Sequence, residues 1–153
     1  MVTTERERPS PSGARLVASI LVTIGACLYG VAVPILEVND THVFDPAWPP
    51  HARLHEVWQL FTNSAIAVWS LWWVWRRREL GLPIALGAVV TGGFLAAYAI
   101  RASYGGSMQL SSGVEHTVAG LNIGVVGFGA VNVMSLAALV AIRSRARPRR
   151  KVP

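Results

Sequence analysis

Residues 16–36 read "LVASILVTIGACLYGVAVPIL", 21 positions without a charged side chain. A hydrocarbon core of about 30 Å is crossed by about 20 helical residues at roughly 1.5 Å rise each. The run is long enough to span. Three more uncharged runs follow, 57–75 and 82–100 with 19 residues each and 118–142 with 25. Charged residues make up 14% of the chain, against roughly a quarter in soluble domains. A soluble four-helix bundle with helices this long would show a charged outer face, and these runs show none. The expected fold is all-α, an integral membrane four-helix bundle with spans at about 16–36, 50–75, 82–102 and 116–142. An N-terminal tail of residues 1–15 and a basic tail of residues 143–153 flank it, and no room remains for a separate soluble domain. The first run is too long, and followed by too many others, to read as a cleavable signal peptide.

Cationic charge orients the bundle. Arg6, Arg8 and Arg15 precede the first span, Arg76, Arg77 and Arg78 lie between the second and third, and Arg143, Arg145, Arg147, Arg149, Arg150 and Lys151 follow the fourth. Twelve of the 14 Lys and Arg residues therefore share one side, and only Arg53 and Arg101 lie on the other. The crowded side is expected to be cytoplasmic, with both termini inside a multi-pass protein of the cell membrane. The net charge of +6 then reflects topology and attraction to anionic lipid, not nucleic-acid binding. A single cysteine, Cys27, excludes an intramolecular disulfide.

With that topology all four histidines face outward: His42 in the first outer loop, His51 and His55 opening the second span, and His116 opening the fourth. Glu37, Asp40, Asp45, Glu56 and Glu115 join them. Pro49 or Pro50 suits the first helical position, where the missing N–H costs nothing. From there His51, His55, Gln59 and Asn63 recur at i, i+4 and form a polar stripe, with Glu56 and Thr62 beside it. Leu54, Phe61, Val68 and Trp72 occupy the opposite, lipid-facing side. Polar groups in a span turn toward the bundle interior or a wet cavity. The second helix is thus expected to carry polar chemistry from the outer interface toward mid-membrane. The fourth span would bring Glu115 and His116 to the same depth, with Gly120, Gly124 and Gly127 below them. A Gly120-x-x-x-Gly124 spacing allows close helix approach. Asn122 and Asn132 are expected to bond between helices. Arg101, near Tyr98 and Tyr104, is placed to pair with Glu56 or Glu115. The tryptophans fall at depths suited to interfacial belts.

"THVFDPAWPPHARLHEVWQ", residues 41–59, resembles the signature of an uncharacterised family of small bacterial four-helix membrane proteins. In that family a threonine–histidine loop leads into W-P-x-H-A-R-x-H at the start of the second span. Thr41, His42, Pro46, Trp48, Pro49, His51, Ala52, Arg53, His55 and Trp58 match it, and Leu54 stands where the family commonly has Phe. The resemblance implies a four-helix membrane fold with a site at this end, and no reaction.

Imidazoles on two helices suggest one shared site. His51, His55 and His116, with Glu56, Glu115 and Arg101, are the expected catalytic groups. They suit general acid–base chemistry or, as three imidazoles with a carboxylate, a divalent metal such as zinc. "HARLHE" has neither zinc-protease spacing. His42, Arg53, Gln59, Asn63 and Tyr98 are the expected substrate contacts. Arg53 lies roughly 160–200° around the helix from the histidines at a step of about 100°, which makes Arg101 the better cation for developing charge. The first reading is a membrane enzyme in which a lipophilic small molecule, entering laterally from the lipid bilayer, undergoes isomerisation, cyclisation or oxidation. The second is a ligand-binding or transport protein, disfavoured for transport because the first, third and fourth spans have no mid-membrane acid. A structural, partner-anchoring role would leave the outer cluster without a purpose. A homo-oligomer is compatible with any of these.

Overall fold

A computed structural model describes residues 13–146, with side chains described for 13–143. Arg6, Arg8, Arg147, Arg149, Arg150 and Lys151 lie outside the described residues. The chain is mainly helical. Helix α1 runs Gly13–Glu37 and widens into a π-turn at Leu28–Ala32. Helix α2 runs Pro50–Trp72, continues as a π-turn through Trp73–Arg77, and closes where Arg78 takes a left-handed conformation. Helix α3 covers Gly81–Ala99 and passes into a 3-10 turn at Arg101–Tyr104. Two short strands, β1 Thr117–Val118 and β2 Leu121–Asn122, pair antiparallel in the register Thr117 with Asn122 and Val118 with Leu121. Helix α4 follows as Ile123–Ala146.

Two layers of packing show how the helices run. Ala18 and Val22 of α1 meet Val74, Leu80, Ile84 and Ala138 at one end. Ala26 and Tyr29 meet Ala67 and Phe128 in the middle. The beginnings of α1 and α3 thus share a layer with the ends of α2 and α4, so successive helices alternate in direction. Helix α4 packs mainly on α1 and α3, which sets α2 and α4 diagonally opposite. The loops 38–49 and 100–122 are gathered at the far end.

A proline shapes the contact between α1 and α2. Pro34 has no N–H for the carbonyl of Gly30, four residues back, and the Ser64 hydroxyl donates to that carbonyl at 2.8 Å. Gly30 permits the approach, because a Cβ there would overlap the Cβ of Ala67. Between α3 and α4, Asn132 donates to the Thr91 hydroxyl at 2.9 Å, and Thr91 donates to the Gly87 carbonyl at 2.7 Å. Hydrogen bonds between small polar side chains join helices well in an apolar surrounding.

Among the described residues three helices, Gly13–Glu37, Gly81–Ala99 and Ile123–Arg143, are long and apolar enough to cross a membrane. Helix α2 is long enough but carries more polar residues. Asn63 and Ser70 are buried and Leu54, Phe61, Val68 and Trp72 are exposed, but His51, His55 and Gln59 of the stripe expected to face inward, and Thr62 beside it, are exposed as well.

The last helix begins later than expected. Residues 116–122 are a hairpin arm, exposed as far as Leu121 and buried at Asn122, not the first turns of a span at 116–142. Ala119 and Gly120 both have positive φ, 51° and 78°, the turn that two-residue hairpins need. Gly120 is therefore in a turn, and no Gly-x-x-x-Gly helix contact forms. Gly124 faces Phe94 of α3 and Gly127 faces Leu28 of α1. Asn122 does not bond between helices but starts α4, its carbonyl oxygen accepting from the Gly124 N–H at 2.8 Å in the manner of an N-cap.

Candidate functional site

His42 is the centre of the loop end. Its Nε2 lies 3.1 Å from a carboxylate oxygen of Glu37, the last residue of α1, with about a quarter of each side chain exposed. Its Nδ1 lies 2.9 Å from the Thr41 hydroxyl, and its ring meets Trp48 edge-on with centroids 6.0 Å apart. The loop is held by its own chemistry. The Asn39 side chain accepts from the Thr41 N–H at 2.7 Å, and the Asp45 carboxylate accepts from the Ala47 N–H at 2.8 Å. Such Asx turns let a short polar side chain fix the backbone two residues on.

Burial pushes the His42 imidazole below its ordinary value. Glu56 pulls it back up, nearby His116 pushes it down, and Asp45 pulls it up. The imidazole is therefore neutral near pH 7. The Thr41 hydroxyl gives its one proton to the Asn39 side-chain oxygen at 2.7 Å, so it accepts from the His42 Nδ1–H, and Nε2 is left to share a proton with Glu37. Asp45 is held below the usual carboxylate range, first by the Ser111 hydroxyl and then by the Ala47 N–H. The Ser111 bond ties the loop 38–49 to the loop 100–122.

Glu56 faces this group from α2, half-buried and within electrostatic reach of both Glu37 and His42. Gln59 and Asn63 follow it at three and seven residues, the spacing of one helix face. They line a cavity of about 300 Å³ that is completed by Val90, Gly93, Phe94, Ala97 and Phe128. Asn63 is only 8% exposed, and its side-chain amide has no hydrogen-bond partner among the described residues. A second cavity of about 200 Å³ shares Phe94 and Ala97 as walls and is lined by Tyr98, Arg101 and Tyr104.

The remaining expected site residues are placed apart. His51 and His55 bond each other, Nε2 to Nε2 at 3.0 Å, on an exposed face of α2, and the His55 ring also neighbours Trp58 at 5.8 Å. His116 is exposed on the arm before β1, and its electrostatic neighbour is His42. The expected three-imidazole metal group is not assembled, and no three His, Cys, Asp or Glu side chains among the described residues are grouped to hold a metal ion. The reason is topological: in an alternating four-helix arrangement the parallel helices α2 and α4 are diagonal, and 116–122 is not helical. Glu115 accepts from the Asn122 amide at 3.1 Å. Arg101 pairs with neither Glu56 nor Glu115; it donates to the Tyr98 carbonyl at 2.9 Å and stacks 4.0 Å from the Tyr98 ring centroid. Arg53 is half-buried on α2 and lies within electrostatic reach of Asp45.

Glu37, Asp45, Trp48 and Ser111 were not singled out by spacing. Glu37 and His42 are five residues apart in a loop with no period, and Asp45 and Ser111 are separated by 66 positions. The one available signal was density of ionisable groups on one side of the bundle.

No protein-family model, no curated protein and no solved structure matches the chain.

Proposed function

We propose that the chain is a small membrane enzyme of four spans, with both termini cytoplasmic, acting on a lipophilic small molecule by acid–base chemistry. The observation that carries this reading is the polar face of α2. Glu56 stands one helical turn from Gln59, about 4.5 Å at 1.5 Å per residue, beside the His42–Glu37 pair. Proton-transfer groups are thus set at the mouth of a mostly apolar cavity. His42 and Glu37 share one proton between two bases, and Glu56 is a second carboxyl close by. Such an arrangement can take a proton at one position of a substrate and return it at another. An isomerisation or cyclisation needs nothing more, since neither changes the oxidation state. His116 is the outer neighbour of His42, and His51 and His55 form a separate exposed pair.

Four spans are supported by the 23-residue length of α2 and the exposure of its Phe61, Val68 and Trp72, and the orientation by the distribution of arginine. The kinship suggested by residues 41–58 belongs to the same proposal.

The test is conversion of a membrane-lipid extract by the purified protein in neutral nanodiscs, followed by chromatography and mass spectrometry. The expected result is a component converted to an isomer of equal mass, with conversion lost in Glu56→Gln and His42→Ala. A component that is bound but never converted would favour the ligand-binding reading instead.

A further inference from the structure

The two cavities lie side by side with Phe94 and Ala97 as shared walls, and their polar groups differ in kind. At the inner end stand two neutral carboxamides, Gln59 and Asn63. Asn63 is more than nine-tenths buried, without a partner, and lines the cavity. The Asn63 amide is reached from the cavity and is free to bond a ligand atom there. At the outer end stands Arg101. Its guanidinium has five N–H donors, one of which goes to the Tyr98 carbonyl. Among the described residues no acid lies within ion-pair distance of it. The Tyr98 ring beneath it fixes its plane, and the group lines the outer cavity. The walls between these ends are apolar and aromatic, with Phe94 and Phe128 in edge-to-face contact at 4.7 Å.

From these features we propose that the adjoining cavities bind a single-chain amphipathic anion. Arg101 holds its carboxylate or phosphate, and Gln59 and Asn63 hold a hydroxyl or carbonyl further along the chain. The inner volume of about 300 Å³ is at the small end of ligand sites, roughly 300–1,000 Å³, which suits a single chain. The inference deepens the reading of a lipophilic substrate and rests on it, but does not depend on catalysis.

Native mass spectrometry of the full chain released from micelles would compare dodecanoate, dodecanol, dodecyl phosphate and 12-hydroxydodecanoate. Dodecanoate or dodecyl phosphate should bind at least about tenfold more tightly than dodecanol, as a charge-assisted hydrogen bond allows, and the stronger of the two identifies the head group. Arg101→Gln should erase that preference, whereas Arg101→Lys, which keeps the charge, should retain part of it. The added hydroxyl of 12-hydroxydodecanoate should tighten binding to the unaltered protein and not to Asn63→Leu. Equal binding of dodecanol and both anions would overturn the proposal, as would an anion preference that survives Arg101→Gln. Either result would leave the acid–base reading standing with a neutral substrate. Binding without conversion would leave this inference standing and remove that reading.

Discussion

The Ser64 hydroxyl donates to the carbonyl oxygen of Gly30 at 2.8 Å. That carbonyl is free because Pro34 lacks the N–H that a regular helix would supply. A helix of one segment is thus completed by a side chain of another, and the closest approach of α1 and α2 occurs at the same residue. The pair makes a testable cycle. Ser64→Ala should destabilise the protein by about 1 kcal/mol, the scale of hydrogen bonds between membrane helices. In a Pro34→Ala background, where the backbone can satisfy Gly30 itself, the same change should cost clearly less. Unfolding in mixed detergent micelles measures both. Equal costs in the two backgrounds would refute the linkage.

Gly30→Ala should be harsher than either. The added methyl overlaps Ala67, and overpacking of this kind typically costs about 1–3 kcal/mol. Gly129→Ala, on an open part of α4, should be nearly neutral in the same assay.

The pH dependence of the loop end follows from two depressed groups. His42 folds with its pKa below the ordinary 6.5, so below that value the unfolded chain takes up the proton first. Stability should therefore fall as pH drops from 6.5 through the lower folded value, and the His42→Gln variant should show a shallower fall. Asp45 is depressed below 3.8; its contribution is present above that value and lost as pH falls through the folded one. Ser111→Ala removes the main cause and should raise the Asp45 titration seen by NMR. An unmoved titration would show that Ser111 does not hold the carboxylate.

Topology can be checked by labelling. In a Cys27→Ser background, cysteines at Pro46 and Ser112 should react with an impermeant reagent in intact cells, and one at Arg77 should not. The reverse pattern would place the His42 group in the cytoplasm.

Much of the fold was legible because a long apolar helix announces itself by missing charge. The outward turn of Phe61 and Trp72 and the burial of Asn63 followed from a simple helical step starting at Pro50. The beginning of α4 was not legible. An apolar stretch such as Val118-Ala119-Gly120-Leu121 has no alternation to separate strand from helix, and only the positive φ at Ala119 and Gly120 decides it. The site was half legible. His42, Glu56, Gln59 and Asn63 lie where composition and phase directed attention, but the partners Glu37 and Ser111 come from other elements. Expecting His116 to sit beside His51 required α2 and α4 to be neighbours, and four alternating helices place them across the diagonal.

The π-turn at Leu28–Ala32 has a genetic meaning. A π-turn is what an α-helix becomes when one residue is inserted and the rest of the helix is kept. Removing one residue there, Val31 for instance, would restore the even winding. Because the bulge takes up the extra residue, everything beyond would keep nearly the same rotational position, and Glu37, six residues on, would stay beside His42. A deletion past the bulge, of Ile35 for instance, has no such slack and would turn Glu37 by about 100° and draw it back by about 1.5 Å. The loss of one codon is thus absorbed on one side of the π-turn and separates the two bases on the other.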